Sequence, residues 1–258
     1  KGNWLAKILV TWKEKMNQKH LETTSGFYSA DTLAWHRWLQ PLRGVKAVHQ
    51  APLDRDLIDL ELLTYVKGGA SLTRTQLLTC LKTHLDAAKT KLRHAFYESN
   101  DGAVYVGMYA WTIDILLQFL YAKTQKHCQG GDDLAIVAVG GYGRGELAPL
   151  SDIDLLFVMP QRHKKSDADF VEFILYMLWD MGLVVGHASR TVHQNIAAAG
   201  EDITIRTSLL EMRSIAGATL VSEQMLSTFK HWVANQPAGY FVEAKLAERD
   251  QRHARFGG

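Results

Sequence analysis

The clearest apolar pattern in the first half of the chain is helical and runs from residue 72 to about residue 125. Apolar side chains recur there at the three- and four-residue steps of one helix face, at Leu77, Leu78, Leu81, Leu85 and Ala88 and again at Ile113, Leu116, Leu117 and Leu120. Asn100, Asp101 and Gly102, between the two runs, are typical turn residues. We therefore predict a helical hairpin.

From residue 130 onward, short apolar runs alternate with helical patterns. Runs with the length and composition of buried strands occur at 134–139, 152–159 and 183–187. Helical spacing is found at 166–181, which Gly182 ends, and at 203–216, 222–232 and 238–256. This order predicts an α+β fold in which a small mixed sheet is preceded and followed by α-helices.

Composition limits the classes of function. The chain has 258 residues, of which 47% are hydrophobic and 22% charged, so it is neither disordered nor a collagen-like repeat nor a disulfide scaffold. Its 29 basic and 27 acidic residues leave a net charge of +2, too balanced for a protein that coats nucleic acid. We expect no nucleic-acid partner, and any nucleotide site must come from local geometry.

The two cysteines and one long apolar stretch bear on the compartment. Cys80 and Cys128 form no Cys-x-x-Cys pair, which favours free thiols in a reducing, cytoplasmic environment. Residues 104–122 approach membrane length, but Asp114 lies in their middle. A central Asp costs about 2.5–3.5 kcal/mol on insertion scales, so we predict a buried helix and no membrane partner.

Two carboxylates carry the first chemical signal. Side chains alternate along a strand, so Asp152 and Asp154 point to the same face. Two such carboxylates repel each other unless a cation lies between them, and Mg²⁺ prefers these hard oxygen ligands. An isolated Asp-x-Asp is also typical of a solvated strand end, so the neighbouring sequence has to decide.

A glycine-rich turn precedes the aspartates. Gly141, Gly143 and Gly145 follow the first strand directly, and their spacing matches neither the dinucleotide fingerprint nor a P-loop. Glycines allow backbone N–H groups to approach a phosphate closely. With Arg144 and the Asp pair, the turn predicts a site that holds a triphosphate and two magnesium ions for in-line displacement.

These residues resemble the nucleotidyltransferase superfamily of DNA polymerase β, and within it the protein-PII uridylyltransferases of bacterial nitrogen regulation. The resemblance rests on Gly140-Gly141-Tyr142-Gly143-Arg144-Gly145-Glu146-Leu147, Ser151-Asp152-Ile153-Asp154-Leu155-Leu156, Leu178-Trp179-Asp180-Met181-Gly182-Leu183, Gly186-His187-Ala188-Ser189-Arg190-Thr191, Thr207-Ser208-Leu209-Leu210-Glu211 and Phe241-Val242-Glu243-Ala244-Lys245. It covers roughly residues 72–258. It implies a polymerase β-like fold, with residues 1–70 unassigned, 71–130 as a helical lead-in and 131–258 as the nucleotidyltransferase domain.

The resemblance also implies an activity, the transfer of UMP from UTP to a tyrosine of the PII signalling protein with release of pyrophosphate. Asp152 and Asp154 would hold Mg²⁺ as the catalytic carboxylates. Gly140 and Gly141 would seat the triphosphate, and Arg144 and Ser151 would contact phosphate. PII and UTP are thus the expected partners.

One departure from the superfamily concerns a third carboxylate, which often lies on a later strand. Residues 183–191 contain no Asp or Glu, so the third ligand stays unassigned. His187 and Arg190 lie in this run and are candidate neighbours of the site, whereas Asp180 and Glu201 suit helix surfaces. None of the other histidines shows paired ligand spacing in the sequence.

Two further functions stay open. One is adenylyl transfer to glutamine synthetase, which shares the catalytic strand, and the other is a nucleotide-binding regulatory fragment without turnover. In the family, a His-Asp phosphohydrolase domain and ACT domains follow the transferase. No His-Asp dipeptide occurs in this chain, so we expect it to lack removal of UMP and sensing of glutamine.

Overall fold

The computed structural model describes residues 52–66, 72–127 and 130–256, and the elements below are numbered over these residues. Residues 1–51, which belong to the unassigned segment 1–70, and Cys128 fall outside them. All described residues belong to one compact unit, 51–258.

Three helices come first along the described chain. Helix α1, Arg55–Tyr65, begins at Asp54, whose carboxylate accepts hydrogen bonds from the N–H groups of Asp56 and Leu57. Helix α2, Arg74–Ser99, starts with a capping box between Thr73 and Gln76 and ends at Asn100 in the left-handed region. Helix α3 is Gly102–His127. The predicted hairpin of α2 and α3 is confirmed.

Four strands form one mixed sheet. They are β1, Ala135–Ala138; β2, Ile153–Met159; β3, Val185–Thr191; and β4, Arg213–Gly217. In the order β3-β2-β1-β4, β1 is antiparallel to both neighbours and β2 is parallel to β3. The predicted α+β class with a small mixed sheet is confirmed.

The remaining helices lie between these strands along the chain or follow the last of them. They are α4, Gly140–Gly143; α5, Lys165–Asp180; α6, Val192–Glu201; α7, Ile203–Leu210; α8, Thr219–Ala234; and α9, Ala238–Phe256. Helices α5, α8 and α9 were predicted, whereas α6 was missed. The predicted helix 203–216 was wrong in its second part, because α7 ends at Leu210 and the chain then pairs with β1 as strand β4.

The two faces of the sheet pack against different helices. Leu156 and Val158 of β2 join a core cluster with residues of α6, α7 and α8, among them Ala199, Leu209 and Phe229. The alternate β2 residues lie on the opposite face. Helices α3 and α5 cover that face, where Phe170 contacts Tyr121 edge to face at 5.0 Å between ring centroids.

Within the described residues, Gly102–Gln125 of α3 is long and apolar enough to cross a membrane by length and composition, and 61% of its most apolar window is buried inside the protein. Asp114, in the middle, is buried and forms an ion pair with Arg213 of β4. Helix α3 therefore packs as a core helix of this unit.

Candidate active site

The Asp pair lies where β2 begins. Asp152 immediately precedes the strand and is exposed, while Asp154, the second strand residue, is half-buried. In β3, the residue opposite Asp154 is Gly186, and in β1 the strand ends level with Leu155 at Ala138. The pair therefore faces the edge of the sheet at which the glycine turn leaves β1.

Two glycines make room for the Asp154 carboxylate. A Cβ atom on Gly186 would lie 2.7 Å from Asp154 Oδ1, and one on Gly140 would lie 3.3 Å from Asp154 Oδ2. Gly140 has a φ of +59°, in the left-handed region that glycine adopts without strain. Each carboxylate oxygen thus has a glycine backbone beside it, where a larger residue would displace it.

The electrostatics of the pair favour a cation. Burial and the neighbouring charge of Asp152 raise the pKa of Asp154. Among residues 52–66, 72–127 and 130–256, no lysine, arginine or histidine forms an ion pair with either carboxylate. Hard oxygen ligands without a protein counter-charge suit Mg²⁺, which keeps several waters and is bound through one or two carboxylates plus substrate phosphates. The residues therefore fit the metal that the sequence predicts.

The glycine turn forms helix α4, directly after β1. Its cap residue, Val139, donates a backbone hydrogen bond of 3.1 Å to the Asp154 carbonyl, which ties the turn to β2. No side chain caps the N-terminal N–H groups of this helix. A Cβ atom on Gly143 would lie 2.0 Å from the Glu211 carbonyl oxygen, so only glycine fits this approach to the end of α7.

Arg144 and Ser151, the predicted phosphate contacts, both have partners in the protein. Arg144 is half-exposed and donates to Glu146 at 3.0 Å and to Glu211 at 2.6 Å. Ser151 Oγ donates to the Ala148 carbonyl at 2.8 Å and lies on the exposed loop before Asp152. A phosphate contact by either residue stays a prediction, and in Arg144 it would compete with two carboxylates.

A buried polar network holds the glycine turn from behind, and sequence reasoning missed it. The Tyr142 hydroxyl donates to Asp114 Oδ1 at 2.7 Å. Arg213 donates to Asp114 through Nη1 at 2.7 Å and Nη2 at 3.1 Å, and also to the Gly143 and Tyr142 carbonyls. Burial and the Asp114 charge raise the pKa of Tyr142, so its hydroxyl remains a donor. The turn is thereby fixed to α3 and β4.

The structure does not bring His187 or Arg190 to the Asp pair, which corrects the expectation that they neighbour it. His187 lies on the other face of β3, among α5 side chains, with its ring 5.9 Å from that of Trp179. Arg190 shares the face of Gly186, but four residues further along a strand amount to about 13 Å. Its charge acts instead on Asp202, at the start of α7.

No third carboxylate comes from β3. The position opposite Asp154 is Gly186, and the next residue on that face is Ala188. Asp180 forms an ion pair with Arg74, and Glu201 is exposed at the end of α6, in line with the expected surface roles. The third ligand therefore stays unassigned among these residues.

The family model for the nucleotidyltransferase domain matches residues 123–193, which include β1, α4, β2, α5 and β3. The chain contains a nucleotidyltransferase domain. The matched region begins within α3 and ends at the start of α6, so it includes both the glycine turn and the Asp pair.

Relatives of this nucleotidyltransferase extend the likeness beyond the matched domain. The Rhodospirillum rubrum and Bradyrhizobium diazoefficiens proteins are each 38% identical, over 79% and 74% of this chain and 23% and 21% of their own lengths. A Phenylobacterium zucineum protein is 50% identical over 49% of this chain and 14% of its own. All three are named bifunctional uridylyltransferase/uridylyl-removing enzymes. The chain thus spans less than a quarter of the length of each of these relatives.

Proposed function

We propose that this domain transfers UMP from UTP to a tyrosine of a PII-type signalling protein, with Mg²⁺ as cofactor. The main support for this proposal is the position of the Asp154 carboxylate, which lies between Gly140 of the glycine turn and Gly186 of β3, with the charge of Asp152 nearby. The names of the relatives supply the nucleotide and the reaction, since all are uridylyltransferases.

Asp152 and Asp154 would hold the metal, whose charge would stabilise the negative charge that develops on the phosphoryl oxygens. The backbone N–H groups at the start of α4 would orient the triphosphate, because their hydrogens are not used within the helix. Such positioning and electrostatic stabilisation account for most of the catalysis of phosphoryl-type transfer.

In the reaction, the tyrosine oxygen of the acceptor bonds to the α-phosphorus of UTP as the bond to the bridging oxygen breaks. Pyrophosphate leaves with that oxygen, and the tyrosine hydroxyl loses its proton. The network of Asp114, Tyr142 and Arg213 would act earlier, by keeping the glycine turn in place for the incoming nucleotide.

The test is incubation of the full chain with a PII protein, α-labelled UTP and Mg²⁺. We expect label on PII and an equal amount of released pyrophosphate. Asp152→Asn and Asp154→Asn should each abolish the transfer, whereas Asp169→Asn, which removes an exposed carboxylate from α5, should leave it unchanged.

Three outcomes would contradict the proposal. Full activity in either Asp variant would exclude the assigned carboxylates. Transfer from labelled ATP to glutamine synthetase, with none from UTP to PII, would establish the adenylyl reaction instead. Calorimetric binding of UTP without pyrophosphate release, in the presence of PII, would favour a regulatory nucleotide site without turnover.

A further inference from the structure

Three side chains of residue types that can bind a metal converge between α1 and α2, on elements other than those of the Asp pair. Glu61 lies on α1, and Cys80 and His84 lie one turn apart on the same face of α2. The His84 Nε2 atom is 2.9 Å from Glu61 Oε2. One ligand atom from each residue lies within 4.8 Å of the other two.

This spacing is close to that of a tetrahedral zinc site. Zinc binds cysteine sulfur at about 2.3 Å, histidine nitrogen at about 2.0–2.1 Å and carboxylate oxygen at about 2.0–2.2 Å. Those bond lengths place pairs of ligand atoms about 3.4–3.7 Å apart at the tetrahedral angle. Small side-chain rotations would therefore bring the three atoms onto one ion.

Burial gives the cluster a closed side and an open side. Cys80 is fully buried, while the side chains of His84 and Glu61 are 20% and 38% exposed. The ion would enter from solvent between His84 and Glu61 and reach the sulfur behind them. The open side leaves the fourth position to a water molecule.

We propose that Glu61, Cys80 and His84 bind one Zn²⁺ ion and that this ion fastens α1 to α2. A thiolate with an imidazole selects zinc over Mg²⁺ or Ca²⁺, which prefer oxygen. Helix α1 has 11 residues and buries only Ile58 and Leu62, so a bond between helices would contribute much to its position.

The thiol lies among carboxylates, so a bound cation would face negative charge. Burial, then the nearby Glu61 and Asp59 carboxylates, raise the pKa of Cys80 to about 12. The Tyr65 hydroxyl also lies 3.4 Å from Glu61. Without metal, the sulfur keeps its proton in this acidic setting, and Zn²⁺ would release that proton on binding.

The alternative interpretation is a His84–Glu61 ion pair next to a core cysteine, and Co²⁺ distinguishes the two. The experiment uses the tag-free full chain with the substitution Cys128→Ser. Metal is first removed with a chelator, and the protein is then titrated with Co²⁺. We expect a thiolate-to-Co²⁺ charge-transfer band whose amplitude corresponds to one thiolate-bound ion per chain and which Zn²⁺ removes. This band requires a sulfur ligand, so Co²⁺ at Asp152 and Asp154 would not produce it.

Substitutions of the three proposed ligands test where the ion binds. Cys80→Ala should remove the band, and His84→Ala and Glu61→Gln should each weaken binding at least about 10-fold. His94→Ala, an exposed histidine on the same helix, should change nothing. Zn²⁺ should raise the thermal unfolding midpoint of the parent protein and not that of Cys80→Ala.

The His84 and Glu61 variants keep the test decisive if Cys80→Ala does not fold, because both side chains are partly exposed and their loss leaves the core intact. A folded parent protein without the charge-transfer band would overturn the proposal. Equal Co²⁺ affinity in His84→Ala, Glu61→Gln and His94→Ala would overturn it as well.

Discussion

Asp114→Asn tests the buried network that holds the glycine turn. The side chain of Asp114 is 8% exposed and accepts three hydrogen bonds, one from Tyr142 and two from Arg213. Asparagine has nearly the same shape but no charge, and its amide group presents donors where Arg213 also donates. The substitution therefore removes the Asp114 carboxylate from the guanidinium and leaves a pair of donors facing each other.

The expected cost follows from the geometry. Breaking a buried ion pair by removal of one partner costs about 3–5 kcal/mol. Arg213 is 17% exposed and retains hydrogen bonds to the Gly143 and Tyr142 carbonyls, so part of its charge stays solvated. We expect the lower end, a loss of about 3 kcal/mol in the free energy of unfolding, or roughly 10²-fold in the folding equilibrium.

Urea unfolding at neutral pH measures this loss, and calorimetry with UTP and Mg²⁺ measures its effect on the site. UTP should bind more weakly to Asp114→Asn, because the turn that carries Gly140 and Gly141 has lost its anchor. In the double variant with Arg213→Met the loss should be smaller than the sum of the two single losses by more than about 1 kcal/mol.

Asp169→Asn, on the exposed face of α5, is the matched control and should stay within about 0.5 kcal/mol of the parent. A loss within that margin for Asp114→Asn, or additivity of the two single losses, would show that the ion pair does not stabilise the protein as assigned. A large loss of stability with unchanged UTP affinity would mean that the network supports the fold without positioning the turn.

Three further predictions concern the Asp pair, the close glycine contacts and the thiol. Asp154→Asn should raise the thermal unfolding midpoint of the metal-free protein, because it removes a half-buried charge next to Asp152. The same variant should lower UMP transfer at least about 10²-fold. A lower midpoint would contradict the first expectation. Gly186→Ala should displace the Asp154 carboxylate, so that transfer needs a higher Mg²⁺ concentration while stability is nearly unchanged. Gly143→Ala should lower the free energy of unfolding in urea by about 1–3 kcal/mol, because its Cβ atom meets backbone. Equal stability of the two variants would contradict these contacts. The pKa of Cys80 rises on folding from 9.0 to about 12, so the thiol of the unfolded chain loses its proton at a lower pH than that of the folded chain. With chelator present, the free energy of unfolding should therefore fall from pH 9 upward, and it should fall less steeply in Cys80→Ala.

The strand that carries the Asp pair could be predicted from sequence because its signal is local. The alternation that places Asp152 and Asp154 on one face is fixed by backbone geometry, and β1 and β2 are apolar runs bounded by turn residues. Strand β4 could not be predicted, because it follows α7 without a strong break and becomes a strand only by pairing with β1.

Long-range contacts explain the other differences. Asp114 and Arg213 are 99 residues apart, so no local pattern connects them. The register of β2 and β3 decides that Gly186, and not His187, faces Asp154. Sequence reasoning missed Cys80 and His84, although an i, i+4 pair shares one helix face, and Glu61 joins them only through the packing of α1 on α2.

The contact between Asp114 and Arg213 also bears on how much chain the nucleotidyltransferase domain needs. The matched region begins at residue 123, after Asp114, and the division predicted from sequence begins at residue 131. A protein trimmed to either boundary would keep both aspartates and every glycine of the turn and still lose the Asp114 carboxylate, which forms an ion pair with Arg213. Helix α3 is therefore part of the nucleotidyltransferase by packing, although it precedes the motifs in sequence, and a minimal fragment that retains the site has to begin before residue 102.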